Sequence, residues 1–403
     1  MMGEVFSQRI LVEVSPGTYN VPPLGYGGCE RVIFGLSKAI SKERKVVIVD
    51  FNHNTSKSTI EGLEIYRLRN PFRLERSSGL ALYTWNAVFS AIVLFFSILR
   101  EPSKHRRIIL HFHNGAQFSI FWILKKVFLK KAPITSIFSL HSPRWMNPES
   151  IQWWQRIFAV PTELFAISHA GLSTFESEAV RKQILTNYRA CKNNFVLLNG
   201  VDVDFFDRSK YNQIPDSFGV LYGARIKRQK DQVSVVRAMA HVVKEEPRAS
   251  LLLLGDPEDP SYYEELKKEI SQLGLDNNIK VSPSVSIVEL NKIRARFPIH
   301  LVYSTYTGFD VAIGETLSFG VGCIFSDIPT LKGIAENEVN CLLVKPEEPK
   351  VLGHSILSLM KYPDKVAHLA FNARITAFEK LSWSVLSRNF LSQVDMIPNG
   401  DDT

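Results

Sequence analysis

Short apolar, β-branched runs recur along the chain: "RILVEV", "KVVIVD", "LEIYRL", "RIILHFH", "ITSIFSLH", "LFAIS" and "FVLLNG". Helical patterns or loops separate most of them. After residue 217 the rhythm restarts with "FGVLYGA", "ASLLLLG", "IKVSPSV", "IHLVYS", "GCIFSD" and "CLLVKP". Continuous apolar strands alternating with helices predict parallel sheets covered on both faces. Two such series predict two doubly wound α/β domains. The rhythm lapses in "GVDVDFFDRSKYNQIPDS", which places a seam there. The first domain is therefore read as 1–206 and the second as 217–380. The tail "SWSVLSRNFLSQVDMI" is helical by period. Ligands of doubly wound domains sit beyond the carboxyl ends of the strands, so a cleft shared by the two domains is the expected site.

Length and composition agree with this. A chain of 403 residues exceeds what one hydrophobic core usually covers. Hydrophobic residues at 45% and charged residues at 22% fit a soluble globular protein. The net charge of +8 is uneven. Residues 1–200 carry 25 Lys+Arg against 13 Asp+Glu, and the remainder 23 against 27. A basic first half points to an anionic partner, either nucleic acid or a membrane surface. No nucleic-acid-binding motif accompanies it, which argues against the former. Cys29, Cys191, Cys323 and Cys341 are scattered without metal-ligand spacing, so a reduced, cytoplasmic compartment is expected. Met1 to Val14 lacks a signal-peptide pattern.

Two apolar stretches change the picture. Trp85 to Leu99 falls short of the roughly 20 residues that span a bilayer, so a buried or interfacial helix is expected. In "FSIFWILKKVFLKK", Lys125, Lys126, Lys130 and Lys131 interrupt apolar and aromatic residues. Such a helix either lies on an anionic membrane surface or is an ordinary amphipathic helix with solvated lysines. The local charge favours a peripheral place at the cytoplasmic membrane face, through residues 121–131.

Three segments carry candidate chemistry. In "PPLGYGGCERVIFGL", Gly27 and Gly28 precede a helix expected over roughly Cys29 to Ser41. A glycine turn before a helix N-terminus suits an anion such as phosphate, or is a plain strand-to-helix turn. In "YGARIKRQKDQ", Arg225 and Lys230 stand between a strand and a helix that begins near Asp231. Two cations there suit a diphosphate, or form a solvated basic loop. In "YSTYTGFDVAIGETLSFGVG", Gly308 lets the backbone approach a ligand, and Glu315 sits early on the next helix. A carboxylate there accepts two hydrogen bonds from a vicinal diol such as a ribose, or only compensates helix charge. His111 and His113 in "HFHN" are read as alternating in direction on a strand, so that one faces the core or the helix layer.

These segments and their order resemble the retaining glycosyltransferases of the GT-B fold. They belong to the large group 1, family-4-like set that includes sucrose synthase and many microbial mannosyl- and glucosyltransferases. The matching segments are "YGGCERV", "HFHN", "SLHS", "FAISHA", "LLNGVDVDFF", "ARIKRQKD", "LLLLGD", "TGF…GETLSFG" and "SDIPTLKGIAENEVNCLLV". The resemblance implies two Rossmann-like domains facing across a cleft, acceptor-side first and nucleotide-sugar-binding second. The helix at about 383–395 is expected to cross back to the first. By the same likeness, Arg225 and Lys230 hold the donor's diphosphate and Glu315 its ribose. Gly308 and Phe309 face the donor sugar, with Val285, Thr307 and Asp310 in the same donor set. Gly27 and Gly28 lie near the diphosphate, and His141 near the transferred sugar.

The family's first signature glutamate is replaced by Thr307, which puts donor-sugar choice in question. Cys341 stands where the family usually has glycine. The implied reaction is transfer of a sugar from a nucleotide-diphosphate donor to a glycan or lipid-linked acceptor, with retention. No cofactor and no metal are expected, since "DVD" at 202–204 reads as domain-end structure. A phosphorylase would carry a pyridoxal lysine motif, which is not found. A domain that binds a nucleotide sugar or a partner without transfer is the other reading, motivated by Thr307.

Overall fold

The computed structural model describes residues 10–23, 27–72, 80–99, 108–130, 132–141, 153, 155–188, 193–305 and 308–397. The chain divides into two compact units, Met1–Gly200 with Trp383–Thr403, and Val201–Ser382.

The first unit has strands β1 (Ile10–Val14), β2 (Val46–Asn52), β3 (Ser56–Ile60), β4 (Leu63–Arg69), β5 (Ile108–Phe112), β6 (Ile134–Leu140), β7 (Leu172–Phe175) and β8 (Asn194–Val196). Its described helices are α1 (Gly28–Ile40), α2 (Leu80–Leu99), α3 (Gly115–Phe128), α4 (Val160–His169) and α5 (Glu178–Asn187). The sheet order is β3-β4-β2-β1-β5-β6-β7-β8, and among the described strands only the β3–β4 pair is antiparallel. Ile10, Val12 and Val14 feed one apolar layer, and Leu11 feeds the other. Burial of both faces is why these strands read as unbroken apolar runs.

The second unit holds β9 (Gly219–Gly223), β10 (Ser250–Leu254), β11 (Ile279–Ser282), β12 (Ile299–Val302), β13 (Gly322–Ser326) and β14 (Leu342–Val344). Its helices are α6 (Gln232–Glu245), α7 (Pro260–Gln272), α8 (Ile287–Arg294), α9 (Val311–Phe319), α10 (Pro349–Lys361) and α11 (Pro363–Thr376). The order β11-β10-β9-β12-β13-β14 is all parallel. After α11 the chain returns to the first unit as α12 (Trp383–Asp395). In each unit the strand order reverses once, between β1 and β5 and between β9 and β12. Such a switch point opens a crevice at the carboxyl ends of the two strands.

Four expectations are corrected here. "LFAIS" is not a strand but part of α4, and the strand that follows it is "LSTF". The apolar segment around Trp85 forms a helix of 20 residues, long and apolar enough by length and composition to cross a membrane. Its Ala91, Leu94, Phe95 and Ile98 nevertheless pack in the core of the first unit. Lys125 is no surface cation: it is 5% exposed, and its ammonium donates to the Ile134 carbonyl at 2.6 Å. Of the remaining lysines, Lys126 lies over the Trp122 ring, Lys130 is exposed, and Lys131 falls outside the described residues. Finally, His111 and His113 are two residues apart, so strand geometry puts them on one face rather than opposite faces. Both ring systems meet Glu13.

Candidate active site

In the second unit the basic turn is built onto β9. A Cβ at Gly255 would sit 2.1 Å from the Ala224 carbonyl oxygen, so only glycine lets the end of β10 lie under that turn. Residues Arg228–Lys230 form a single tight turn, and Asp231, in left-handed conformation, caps α6 by accepting from Ser234 N–H. The turn is tied to the segment after β12. Ser304 Oγ and Thr305 N–H both donate to the Gln229 carbonyl, at 2.8 and 3.1 Å. The Tyr222 hydroxyl reaches the carbonyls of Lys230 and Tyr303.

Lys230 Nζ then lies 2.5 Å from Asp310 Oδ2, while Asp310 Oδ1 accepts from Ala312 N–H and caps α9. Burial works to raise the Asp310 carboxyl, but Lys230 outweighs it and holds the group at about 2. Arg225 Nη1 is 2.5 Å from Glu258 Oε2, on a guanidinium that keeps 40% of its surface. Each cation is thus positioned by a carboxylate partner.

Glu315 lies in the second turn of α9 and is buried. Its Oε2 accepts from Arg294 Nη2 at 2.7 Å, and the Arg294 guanidinium stands over the Phe206 ring at 5.2 Å. Arg294 was not legible as a site residue, because in sequence it is only a basic residue in the last turn of α8. Gly308 and Phe309 are buried, and the Phe309 side chain is packed at 1% exposure. Val285 is exposed in the loop between β11 and α8. Thr307 lies outside the described residues.

The first unit assembles a second group at its own switch point. Gly27 has φ 133°, a conformation that favours glycine, and it N-caps α1. A Cβ on Gly28 would meet nothing within 4 Å, so that face of the helix start is open. Glu30, two residues on, turns back to accept from Tyr19 N–H at 3.1 Å and anchors the loop after β1.

Beside this start runs a chain of buried polar groups. Thr174 Oγ1 meets Ser139 Oγ at 2.5 Å, and Ser139 Oγ meets His111 Nε2 at 2.6 Å. His111 Nδ1 is 2.9 Å from Glu13 Oε2. His113 Nε2 is 2.8 Å from the same oxygen, and His113 Nδ1 is 2.8 Å from His141 Nε2. His141 is thus held at the end of a relay that begins on β7. Burial raises Glu13, yet the two histidines beside it bring it down to about 2. Burial lowers His113 to about 4 and takes His141 well below the usual imidazole range. Glu13 was missed in sequence because a single acid inside an apolar strand carries no spacing signal. Arg225, Lys230 and Asp310 are brought together in the second unit, with Glu315 one turn further along α9 on Arg294, and in the first unit Cys29, next to Gly28, lies beside His141.

Two parallel doubly wound units, with cations and a carboxylate at one switch point, define a protein of the GT-B class. Comparison with known proteins agrees. Residues 204–376 match the family described as glycosyl transferases group 1. It is 21% identical over 242 residues to a GDP-mannose:cellobiosyl-diphosphopolyprenol alpha-mannosyltransferase of Xanthomonas oryzae, covering 60% of this chain and 61% of that one. It is 26% identical over 190 residues to a poly(glycerol-phosphate) alpha-glucosyltransferase of Bacillus subtilis, covering 44% of this chain and 27% of that one. The match therefore spans less than two thirds of either relative. Among solved structures, sucrose-phosphate synthase of Thermosynechococcus elongatus superposes with a TM-score of 0.80 at 16% identity, over 96% of this chain and 98% of that one. Anabaena HepE in complex with UDP and glucose gives 0.72 at 17%, over 96% and 100%. These solved structures establish the fold.

Proposed function

We propose that the chain is a glycosyltransferase that moves a sugar from a nucleotide-diphosphate donor to an acceptor with retention, without a metal. The observation that carries this reading is the meeting of Lys230 and Asp310 at 2.5 Å, one after β9 and one after β12, at the switch point of the second sheet. Lys230 and Arg225 neutralise the charge that develops on the departing diphosphate, helped by the N-terminal end of α9. Glu315, oriented by Arg294, accepts from the ribose hydroxyls. Asp310 and the backbone at Gly308 face the sugar, and His141 contributes a hydroxyl contact. In the retaining step the bond from the anomeric carbon to the phosphate oxygen breaks on the face where the acceptor oxygen bonds. The acceptor's proton passes to the departing phosphate oxygen.

The acceptor is proposed to be lipid-linked. The mannosyltransferase of Xanthomonas oryzae is named for such a substrate. On this chain Ile123, Val127 and Phe128 stand exposed on α3, with Lys126 and Lys130 beside them. An apolar stripe flanked by cations suits an anionic lipid surface. The test is thermal stabilisation against UDP-, GDP- and ADP-sugars, followed by transfer assays with the donor that binds. A donor at 100 times its Kd adds about 2.7 kcal/mol. Absence of stabilisation by every donor overturns the reading, and stabilisation without transfer or donor hydrolysis reduces it to binding alone.

A further inference from the structure

Three ligand atoms of soft or borderline character converge at the carboxyl edge of the first sheet. Cys29 Sγ, a ring nitrogen of His113 and one of His141 all lie within 4.8 Å of one another. They come from the start of α1, the end of β5 and the end of β6. The hydrogen-bond chain fixes their protons. With the Glu13 carboxylate as acceptor, His113 carries its proton on Nε2, 2.8 Å from Glu13 Oε2. His113 Nδ1 is then a lone pair, and it accepts from His141 Nε2–H at 2.8 Å. That lone pair points into the group of three. A carboxylate holding the far nitrogen of an imidazole is the outer-shell arrangement that orients histidine ligands on zinc.

We propose that Cys29, His113 and His141 form a site for a thiophilic divalent cation, Zn²⁺, whose occupation withdraws His141 and so opposes sugar transfer. One thiolate and two imidazoles suit Zn²⁺ and do not suit Mg²⁺. Cys29 and His141 are part-exposed, which gives the ion a way in. Binding balances simply. The Cys29 thiol gives its proton to solvent, and His113 keeps Nε2–H on Glu13 while ligating through Nδ1. The His141 proton moves from Nε2 to Nδ1, freeing Nε2 for the metal. One proton leaves per ion, no electron moves, and water fills the fourth position. The two nitrogens must part from 2.8 Å to about 3.3 Å, since each sits about 2.0–2.1 Å from zinc at a tetrahedral angle. Burial, with the charges of Glu30 and Glu13, raises the Cys29 thiol, and the charge of the ion counters this.

The inhibitory half of the proposal rests on the transferase reading, and the binding half does not. The full chain, free of any affinity histidine tag and stripped with a chelator, is titrated with Zn²⁺ against a chromophoric competitor and separately with Co²⁺. The expected result is one ion per chain and a thiolate-to-cobalt charge-transfer band with tetrahedral visible bands. Cys29→Ser, a mild change at a part-exposed position, loses the charge-transfer band and binds at least about tenfold more weakly. His141→Asn weakens binding as well. A wild type that fails to compete for Zn²⁺, or a Cys29→Ser chain that keeps the cobalt–thiolate band, overturns the site. Equimolar Zn²⁺ should inhibit transfer by the wild type and spare Cys29→Ser, and equal inhibition of both sinks the inhibitory role. If no transfer is found with any donor, the cobalt spectrum still decides the metal site.

Discussion

Arg294 Nη2 donates to Glu315 Oε2 at 2.7 Å, and both side chains are almost fully buried. The expected ribose acceptor is therefore a fixed half of an ion pair, braced from α8. Arg294 Nη1 also donates to Asn291 Oδ1 at 3.2 Å. Removing one partner of a buried pair leaves an uncompensated charge and costs about 3–5 kcal/mol. Arg294→Met should lower the denaturation midpoint of the chain and weaken nucleotide binding together. Arg294→Lys should rescue neither fully, because one ammonium cannot make both guanidinium contacts. Calorimetry with UDP and GDP, beside urea unfolding, checks this. Unchanged nucleotide affinity in a folded Arg294→Met chain removes Glu315 from the ribose site.

On the proposed reading, Asp310 competes with the donor's diphosphate for Lys230. Asp310→Asn keeps an N-cap residue on α9 and removes the charge. The variant should bind UDP or GDP a few-fold more tightly, while its kcat/KM with the sugar donor falls. Loss of both affinities places Asp310 among structural residues only. The same change has a signature in acid. Asp310 stands at about 2 in the folded chain, against about 3.9 when unfolded, so its contribution is present above pH 4 and is lost as pH falls toward 2. With a third of the side chain open to solvent, that contribution is small. It should be missing from the acid limb of the Asp310→Asn stability curve.

His300 titrates in the other window. Burial and then the Arg294 charge lower it to about 3, with Nε2 3.1 Å from the Arg294 carbonyl. Between pH 6.5 and 3 the unfolded chain takes up a proton that the folded chain refuses. Stability must therefore fall as pH drops through that range. His300→Gln retains a donor for the carbonyl and does not titrate. The stability gap between wild type and His300→Gln should change steadily from pH 7 to pH 4. A gap independent of pH means that His300 takes up its proton in the folded chain as readily as in the unfolded one.

The parts of the fold that were legible are those where one period dominates. All six runs read as strands after residue 217 are strands: the inner ones are buried on both faces, and even the edge strand β11, with Lys280 exposed, is bounded by Pro283. The first unit was harder. "LSTF" carries Ser173 and Thr174 inside the sheet, satisfied by the Ile167 carbonyl and by Ser139, so it lacks an apolar signature. The apolar "LFAIS" ahead of it is helical, opened by Pro161 in the first turn of α4. "SKSTI" is an exposed edge strand with no buried face to mark it. At the site, the cations and Glu315 were visible as residues at strand and helix ends. Glu13, Arg294 and the convergence of Cys29 on two histidines were not, because each depends on strands distant in sequence lying side by side.

The return of the chain to the first unit turns on Trp383, and it yields a sign reversal. A Cβ built on Gly35 would fall 2.3 Å from the Trp383 indole, and one on Gly200 would fall 2.4 Å from it. The ring is seated on two glycines, one in α1 and one at the end of the first segment. Beyond it Leu386, Phe390, Leu391 and Val394 join Leu36 and Ile40 in one apolar layer. Arg44 and Asp395 close the far end at 2.7 Å. Gly35→Ala must push the indole off its seat, at about 1–3 kcal/mol for overpacking. Trp383→Ala should cost about 3–5 kcal/mol through lost burial and the space left behind. The three atoms nearest to a Cβ at 35 all belong to the indole, so removing it removes the main obstacle to an alanine there. Alanine is the better helix former in α1 by about 1 kcal/mol, so Gly35→Ala should stabilise the Trp383→Ala chain. Urea unfolding of the four members of this cycle measures the coupling. Equal destabilisation by Gly35→Ala in both backgrounds shows that the indole does not rest on Gly35.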